Sequence, residues 1–128
     1  MVDDEKVVTE IAREMLENFG YKVFTFSNPI VALNIFRVGP YDFDLLITDL
    51  TMNEMTGLSL AQEVKKIRPD ISVLLITGYD TTDEASTHES GAIDCMIQKP
   101  FTNKTLGRAV KRTLLRNSAH ILDRLKLT

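Results

Sequence analysis

The sequence predicts an α/β protein with a parallel, doubly wound sheet, and two observations indicate this fold class. Short strand-like runs alternate with helical stripes along the whole chain of 128 residues. Residues 43–48 and 71–77 are apolar on nearly every position, as strands covered by helices on both faces must be. Alternating strands and helices of this kind form parallel sheets with a helical layer on each side.

The first elements after a two-residue opening strand each carry a local signal. Residues 6–18 have apolar side chains at helical spacing, and Gly20 ends that helix. Residues 21–26, YKVFTF, are aromatic and β-branched and therefore predict a strand. The pair Asn28-Pro29 starts the second helix, and the pair Gly39-Pro40 stops it.

The rest of the chain continues the same alternation, because apolar runs and helix signals follow one another without a linker. After the strand at residues 43–48, the predicted elements are a helix from Thr56-Gly57 to Pro69, a strand at 71–77, a weak polar helix at 82–90, a strand at 93–98 and a helix capped by Thr102 that reaches about Leu125.

Composition and charge exclude several classes of function. The net charge of -3 and the lack of a basic run argue against binding of nucleic acid or of a membrane surface. Cys95 is the only cysteine, so no intrachain disulfide forms, and its apolar surroundings predict a buried thiol. No apolar run is long enough to cross a membrane, and no signal peptide opens the sequence. We therefore expect a single cytoplasmic domain.

Polar residues follow the predicted strands at the points where ligands bind to parallel sheets. These residues are Asp3, Asp4, Asp49, Thr77 and Lys99. If the carboxylates converge, each pair of charges about 4 Å apart repels by about 4 kcal/mol at an effective dielectric constant of about 20. Such a cluster raises a pKa or binds a cation, and oxygen ligands suit Mg²⁺.

The same residues support a phosphoryl chemistry. A carboxylate such as Asp49 can act as a nucleophile and become an acyl phosphate. Thr77 offers a hydroxyl group and Lys99 a positive charge to the phosphoryl oxygens. Each residue also has a structural interpretation, since an aspartate after a strand often caps a turn, acidic residues favour a helix N-terminus, and most lysines are solvated. The joint pattern favours the functional interpretation.

Four segments, VDDE, LLITDLTMNEMTG, LLITGYD and QKPF, resemble the receiver domain of response regulators in two-component signalling. The resemblance covers residues 1 to about 116 and leaves 117–128 as a helical extension or the start of a linker. It implies a flavodoxin-like sheet of five parallel strands in the order 2-1-3-4-5, with an extended last helix. It also implies a cis bond before Pro100.

The resemblance assigns roles by position. It implies that Asp49 is the phosphoacceptor, that Asp4 is a direct Mg²⁺ ligand, that Asp3 acts through water, and that the Thr51 carbonyl is a further ligand. Thr77 and Lys99 resemble the switch hydroxyl and the phosphate-binding lysine. The implied partner is a sensor histidine kinase or a phosphotransfer protein. The chain would be no enzyme beyond its own phosphorylation and dephosphorylation.

The sequence departs from the family pattern at three places. Only Met1 and Val2 precede Asp3, whereas the family's opening strand is usually longer. Asn53 stands where a proline is common, which predicts a looser loop after Asp49. Cys95 or Met96, depending on how the residues are counted, stands where the family usually has an aromatic switch residue. The usual coupling between threonine and aromatic ring is therefore in question.

Two other functions remain open at this stage. The chain could be a receiver-like adaptor that binds partners without phosphorylation. It could also be a haloacid-dehalogenase-type phosphatase, although that family needs a second aspartate where this chain has Thr51. The apolar end of the last helix (Ile121, Leu122 and Leu125) predicts a homodimer contact or an output domain.

Overall fold

The computed structural model describes residues 1–78 and 91–125, with side chains up to residue 115. The predicted helix at 82–90 and the side chains of the apolar helix end lie outside these residues. No helix in the described part of the chain is both long and apolar enough to span a membrane. The elements are α1 (Lys6–Asn18), α2 (Pro29–Val38), β1 (Leu45–Asp49), α3 (Gly57–Ile67), β2 (Ser72–Thr77), β3 (Cys95–Gln98) and α4 (Asn103–Leu125).

The three strands form a parallel sheet in the order β1-β2-β3. Asp49 at the end of β1 lies opposite Ile76, and Thr77 at the end of β2 lies opposite Gln98. The predicted strands of this part are confirmed, although β1 and β3 begin two residues later than predicted. Because the strands are parallel, their carboxyl ends lie at one edge of the sheet.

The other two predicted strands are present only as single bridges. Val2 pairs in parallel with Phe26 on one side and with Thr48 of β1 on the other. The five-stranded sheet is therefore not confirmed: the described residues form three strands, with two bridged segments side by side at the β1 edge.

Side-chain caps start the helices where the sequence predicts them. The Asn28 side chain accepts a hydrogen bond from the Ile30 amide at 2.8 Å, with Pro29 as the first helical residue. The Thr56 hydroxyl accepts from the Ser59 amide at 3.1 Å. Thr102 does the same for Thr105 at 3.1 Å. These bonds satisfy amides that have no partner inside the helix.

Two apolar clusters cover the two faces of the sheet and make the fold a three-layer one. One cluster joins α2 and α3 to Val73, and the other joins α1 and α4 to Leu74 and Ile76. The neighbouring residues Val73 and Leu74 of β2 thus point into opposite clusters, and every residue of this strand is buried. The prediction of strands buried on both faces is confirmed for β2. Polar groups are consequently placed at the ends of the strands.

Candidate functional site

The predicted site residues come together at the carboxyl edge of the sheet. Asp3 directly follows the bridged residue Val2, Asp49 is the last residue of β1, and Thr77 is the last residue of β2. Lys99 follows β3, and its amide donates to the Thr77 carbonyl at 2.7 Å. The Lys99–Pro100 bond is cis, as the resemblance implies.

Three carboxylates form an acidic cluster at this edge. Asp3, Asp4 and Asp49 each contribute a carboxylate oxygen, and these oxygens lie within 4.8 Å of one another. Asp3 and Asp49 are buried, whereas Asp4 is half-buried. Two unit charges at 4.8 Å repel by about 3–4 kcal/mol at an effective dielectric constant of about 20. A hard cation such as Mg²⁺ would relieve this repulsion, and the oxygen ligands fit it.

Lys99 brings a positive charge to the acidic cluster. Its Nζ lies 3.1 Å from Asp3 Oδ2 and 3.4 Å from Asp49 Oδ2. Glu5 Oε1 is farther away at 3.8 Å, on an exposed side chain. The lysine is thus shared between two buried acids and one exposed acid, and the shortest contact is with Asp3.

The pKa values reflect burial first and the neighbouring charges second. Burial raises the pKa of Asp49 from 3.8 to about 6, and the charge of Asp3 adds to this, while Lys99 opposes it. Burial also raises the pKa of Asp3, against the hydrogen bonds from Glu5 and Lys99. For Lys99, burial lowers the pKa, but the bond to Asp3 and the surrounding acids outweigh it and raise the pKa overall.

Local backbone contacts hold the two buried carboxylates in place. Asp3 Oδ1 accepts from the Glu5 amide at 2.9 Å, and Asp49 Oδ1 accepts from the Leu50 amide at 3.0 Å. Gly57 packs against the backbone behind Asp49, since a Cβ atom on it would lie 2.0 Å from the Asp49 carbonyl oxygen. The first turn of α3 therefore fits closely against the end of β1.

The residues of the predicted switch lie on β2 and β3. Thr77 is buried, and its hydroxyl donates to the Ile97 carbonyl at 3.4 Å. Met96 and Cys95 are half-buried on β3, so the prediction of a buried thiol is wrong. Cys95 packs at the margin of the cluster formed with α1 and α4, on a strand at the edge of the described sheet, which leaves it partly accessible.

Two residues near the site were not predicted to belong to it. Glu5 follows the two predicted aspartates in the sequence, and its carboxylate reaches toward Lys99. Gly57 was interpreted as the opening of a helix, yet it also allows that helix to approach Asp49. The acidic run DDE was the only signal for Glu5, and no signal in the sequence marked Gly57. The roles of the Thr51 carbonyl and of water at Asp3 stay predictions.

Comparison with known proteins agrees with this architecture. The family model for the response regulator receiver domain matches residues 1–111. The chain is similar to a receiver domain protein from Clostridium thermocellum of known structure, with 29% identity, a TM-score of 0.85, and coverage of 92% of this chain and 94% of that one.

Longer proteins contain similar segments. The transcriptional regulatory protein ZraR of Klebsiella oxytoca is 34% identical over 122 residues, which are 92% of this chain and 27% of that protein. The sensor kinase CckA of Brucella abortus is 31% identical over 114 residues, which are 89% of this chain and 12% of that protein. The chain thus spans about a quarter or less of these two relatives. On the match over residues 1–111, the chain belongs to the response regulator receiver domain family.

Proposed function

We propose that this receiver domain is a phosphorylation-dependent signalling switch and that Asp49 accepts the phosphoryl group. The observation that carries the proposal is the meeting of three carboxylates within 4.8 Å, with the Lys99 ammonium 3.4 Å from Asp49. Burying two carboxylates close together at the end of a strand costs stability. The backbone fold does not require these charges. A site of perturbed acids at the end of a sheet supports a chemical role.

The proposed reaction is the transfer of a phosphoryl group from a phosphohistidine. An Asp49 carboxylate oxygen attacks phosphorus, the phosphorus–nitrogen bond breaks, and its electron pair stays on the donor imidazole, which takes up a proton. The product is an acyl phosphate on Asp49, which water later hydrolyses to restore the carboxylate and release phosphate. With a pKa of about 6, Asp49 is mostly ionised and nucleophilic at neutral pH.

The residues around Asp49 have distinct parts in this reaction. Lys99 can move from its contact with Asp3 to an oxygen of a phosphoryl group on Asp49, because its Nζ already lies 3.4 Å from Asp49 Oδ2. The Thr77 hydroxyl, now bonded to Ile97, can donate to another phosphoryl oxygen. Mg²⁺, held by Asp4 and Asp49 with the Thr51 carbonyl and with Asp3 through water, would neutralise charge on the phosphoryl group.

We further propose that the donor is a sensor histidine kinase or a phosphotransfer protein in the cytoplasm. The chain itself would be no enzyme beyond its own phosphorylation and dephosphorylation. A change around Thr77, β3 and the neighbouring loops would then alter affinity for a partner, which is an output domain or a second copy bound through the end of α4. The names of the relatives support signalling, since they include a transcriptional regulator and a sensor kinase.

One observation favours a second candidate, a receiver-like adaptor that works without phosphorylation. In the family, an aromatic ring at this position of the strand usually couples phosphorylation to a change at the protein surface. Neither Cys95 nor Met96 provides such a ring. Methionine can repack in place, so a response at β3 would be small. Phosphorylation chemistry itself does not depend on this position, and the acidic cluster therefore favours the switch.

The test is treatment with a small phosphodonor and measurement of the intact mass. Acetyl phosphate with Mg²⁺ should add one phosphoryl group to the wild type, none to Asp49→Asn, and none when EDTA removes the metal. An adaptor would show no mass gain under any condition. A phosphatase would instead release phosphate continuously from the donor without accumulating the modified protein.

A further inference from the structure

Glu5 joins the acidic cluster to the first turn of α1. Its amide donates to Asp3 Oδ1 at 2.9 Å, and its carbonyl accepts from the amides of Val8 and Thr9 at 3.0 and 3.3 Å. The backbone of Glu5 is therefore held on one side by a carboxylate of the cluster and on the other by the start of the helix. The fold thus sets the point from which the Glu5 side chain extends.

The carboxylate of Glu5 is directed at Lys99 and not at the helix that it precedes. Glu5 is the N-cap residue of α1, yet its side chain makes no capping hydrogen bond to a helix amide. Its Oε1 lies instead 3.8 Å from Lys99 Nζ. A helix N-terminus favours a nearby carboxylate through its dipole, but this effect does not require the carboxylate to face a lysine. The contact with Lys99 therefore needs an explanation of its own.

The three acids around Lys99 differ in what else they can bind. Asp3 and Asp49 belong to the cluster that fits a divalent cation, and their side chains are 0% and 7% exposed. The Glu5 side chain is 65% exposed, and among the described residues Glu5 is the only acid in contact with the ammonium group that lies outside the cluster. Lys99 and a cation therefore compete for Asp3 and Asp49, but they do not compete for Glu5.

This competition decides the direction in which Glu5 acts. A lysine that stays on Asp3 and Asp49 weakens cation binding, because it occupies their carboxylates and repels a second positive charge. A carboxylate on the solvent side stabilises the same lysine when it withdraws from the cluster. Because water screens the exposed Glu5, we expect its effect on an equilibrium constant to be about two- to fivefold.

We propose that Glu5 is a positioning residue that draws Lys99 toward the solvent and thereby raises the affinity of the acidic cluster for Mg²⁺. Glu5 acts through Lys99 and not by contact with the ion. The acidic run at the start of the chain then contains two kinds of acid, since Asp3 and Asp4 hold the ion and Glu5 sets how strongly Lys99 opposes it. This inference rests on the metal site of the proposed function.

The experiment is a calorimetric titration of the whole chain with Mg²⁺ at pH 7 and about 0.15 M salt, where distant charges are screened. Glu5→Gln removes the charge, and Glu5→Asp keeps the charge on a shorter side chain that draws the carboxylate away from Lys99. Glu10→Gln, at an exposed position of α1, is the matched control because it changes the net charge equally. Lys99→Met, alone and together with Glu5→Gln, completes a double-mutant cycle.

Glu5→Gln and Glu5→Asp should each weaken Mg²⁺ affinity about two- to fivefold, and Glu10→Gln should leave it unchanged. In the Lys99→Met background, Glu5→Gln should have no effect. Equal affinities of wild type and Glu5→Gln would overturn the inference. A loss that persists without Lys99, or a Glu5→Asp variant that binds like wild type, would also overturn it, because the charge would then act directly on the ion. A wild type that binds no Mg²⁺ would contradict the metal site of the proposed function and this inference with it.

Discussion

Replacing Asp49 by asparagine should stabilise the metal-free protein at neutral pH. The Asp49 side chain is only 7% exposed, and burial together with Asp3 raises its pKa from 3.8 to about 6. One pKa unit corresponds to about 1.4 kcal/mol, so this shift corresponds to about 3 kcal/mol against the ionised form. Asparagine keeps an oxygen for the Leu50 amide and removes the charge. We expect a gain of about 1–3 kcal/mol in the free energy of unfolding.

The gain should depend on pH with a defined sign. Because the pKa of Asp49 is higher in the folded state than in the unfolded state, the folded protein binds more protons between about pH 4 and pH 6. The contribution of Asp49 to the free energy of unfolding is thus fully present below about pH 4 and is lost as the pH rises through about 6. The asparagine variant lacks this loss. The difference between the two proteins should therefore grow from near zero at pH 4 to its full value at pH 7.

The assay is urea unfolding in EDTA at several pH values, followed by circular dichroism. Asp3, with its raised pKa, and the Met1 amino group, with its lowered pKa, act in both proteins and largely cancel in the difference. Asp44→Asn, at an exposed position on the chain before β1, is the control and should change little. If Asp49→Asn is no more stable at pH 7, or if its advantage is the same at pH 4, the reasoning about a costly buried charge is refuted.

Three further predictions concern the groups around Asp49. Asp4→Asn should weaken Mg²⁺ affinity, measured by calorimetry, about tenfold or more, and Asp3→Asn should weaken it less. Equal affinity in wild type and Asp4→Asn would contradict the assignment of the acidic cluster as a metal site. Lys99→Met leaves Asp3 buried without its ion pair, so the free energy of unfolding in urea at pH 7 should fall by about 1–3 kcal/mol. Unchanged stability would show that the ion pair is unimportant. Gly57→Ala should lower the free energy of unfolding by about 2 kcal/mol or more, because its Cβ would meet the Asp49 backbone. Gly78→Ala, where a Cβ would meet open space, should change it little. Similar values for the two variants would rule out the close fit of α3 against the end of β1.

The parts of the fold that local chemistry decides could be predicted from the sequence. A continuous apolar run made β2 recognisable, because a short strand that is apolar on nearly every position is one that helices cover on both faces. Asn28 and Thr56 marked helix starts, since their side chains bond to amides only two or three residues away. The site followed from topology, because parallel strands bring residues such as Asp49 and Thr77 to one edge even though they are far apart in sequence.

The parts that depend on packing between distant segments could not be predicted in this way. The half-exposure of Cys95 depends on how far α1 and α4 cover β3. The sharing of Lys99 among three acids depends on side-chain geometry that the order of residues does not contain. Propensity alone predicted a strand at residues 21–26 without regard to its partner.

The most direct test of the central claim is to locate the phosphoryl group after reaction with acetyl phosphate and Mg²⁺. Borohydride converts an aspartyl phosphate into homoserine, and trypsin then releases a peptide from residue 38 to residue 65 that contains Asp49. Our account predicts homoserine at Asp49 alone, and none after treatment with EDTA. Homoserine at Asp3, Asp4 or another acid, or equal labelling of Asp49→Asn, would contradict the claim that Asp49 is the phosphoacceptor.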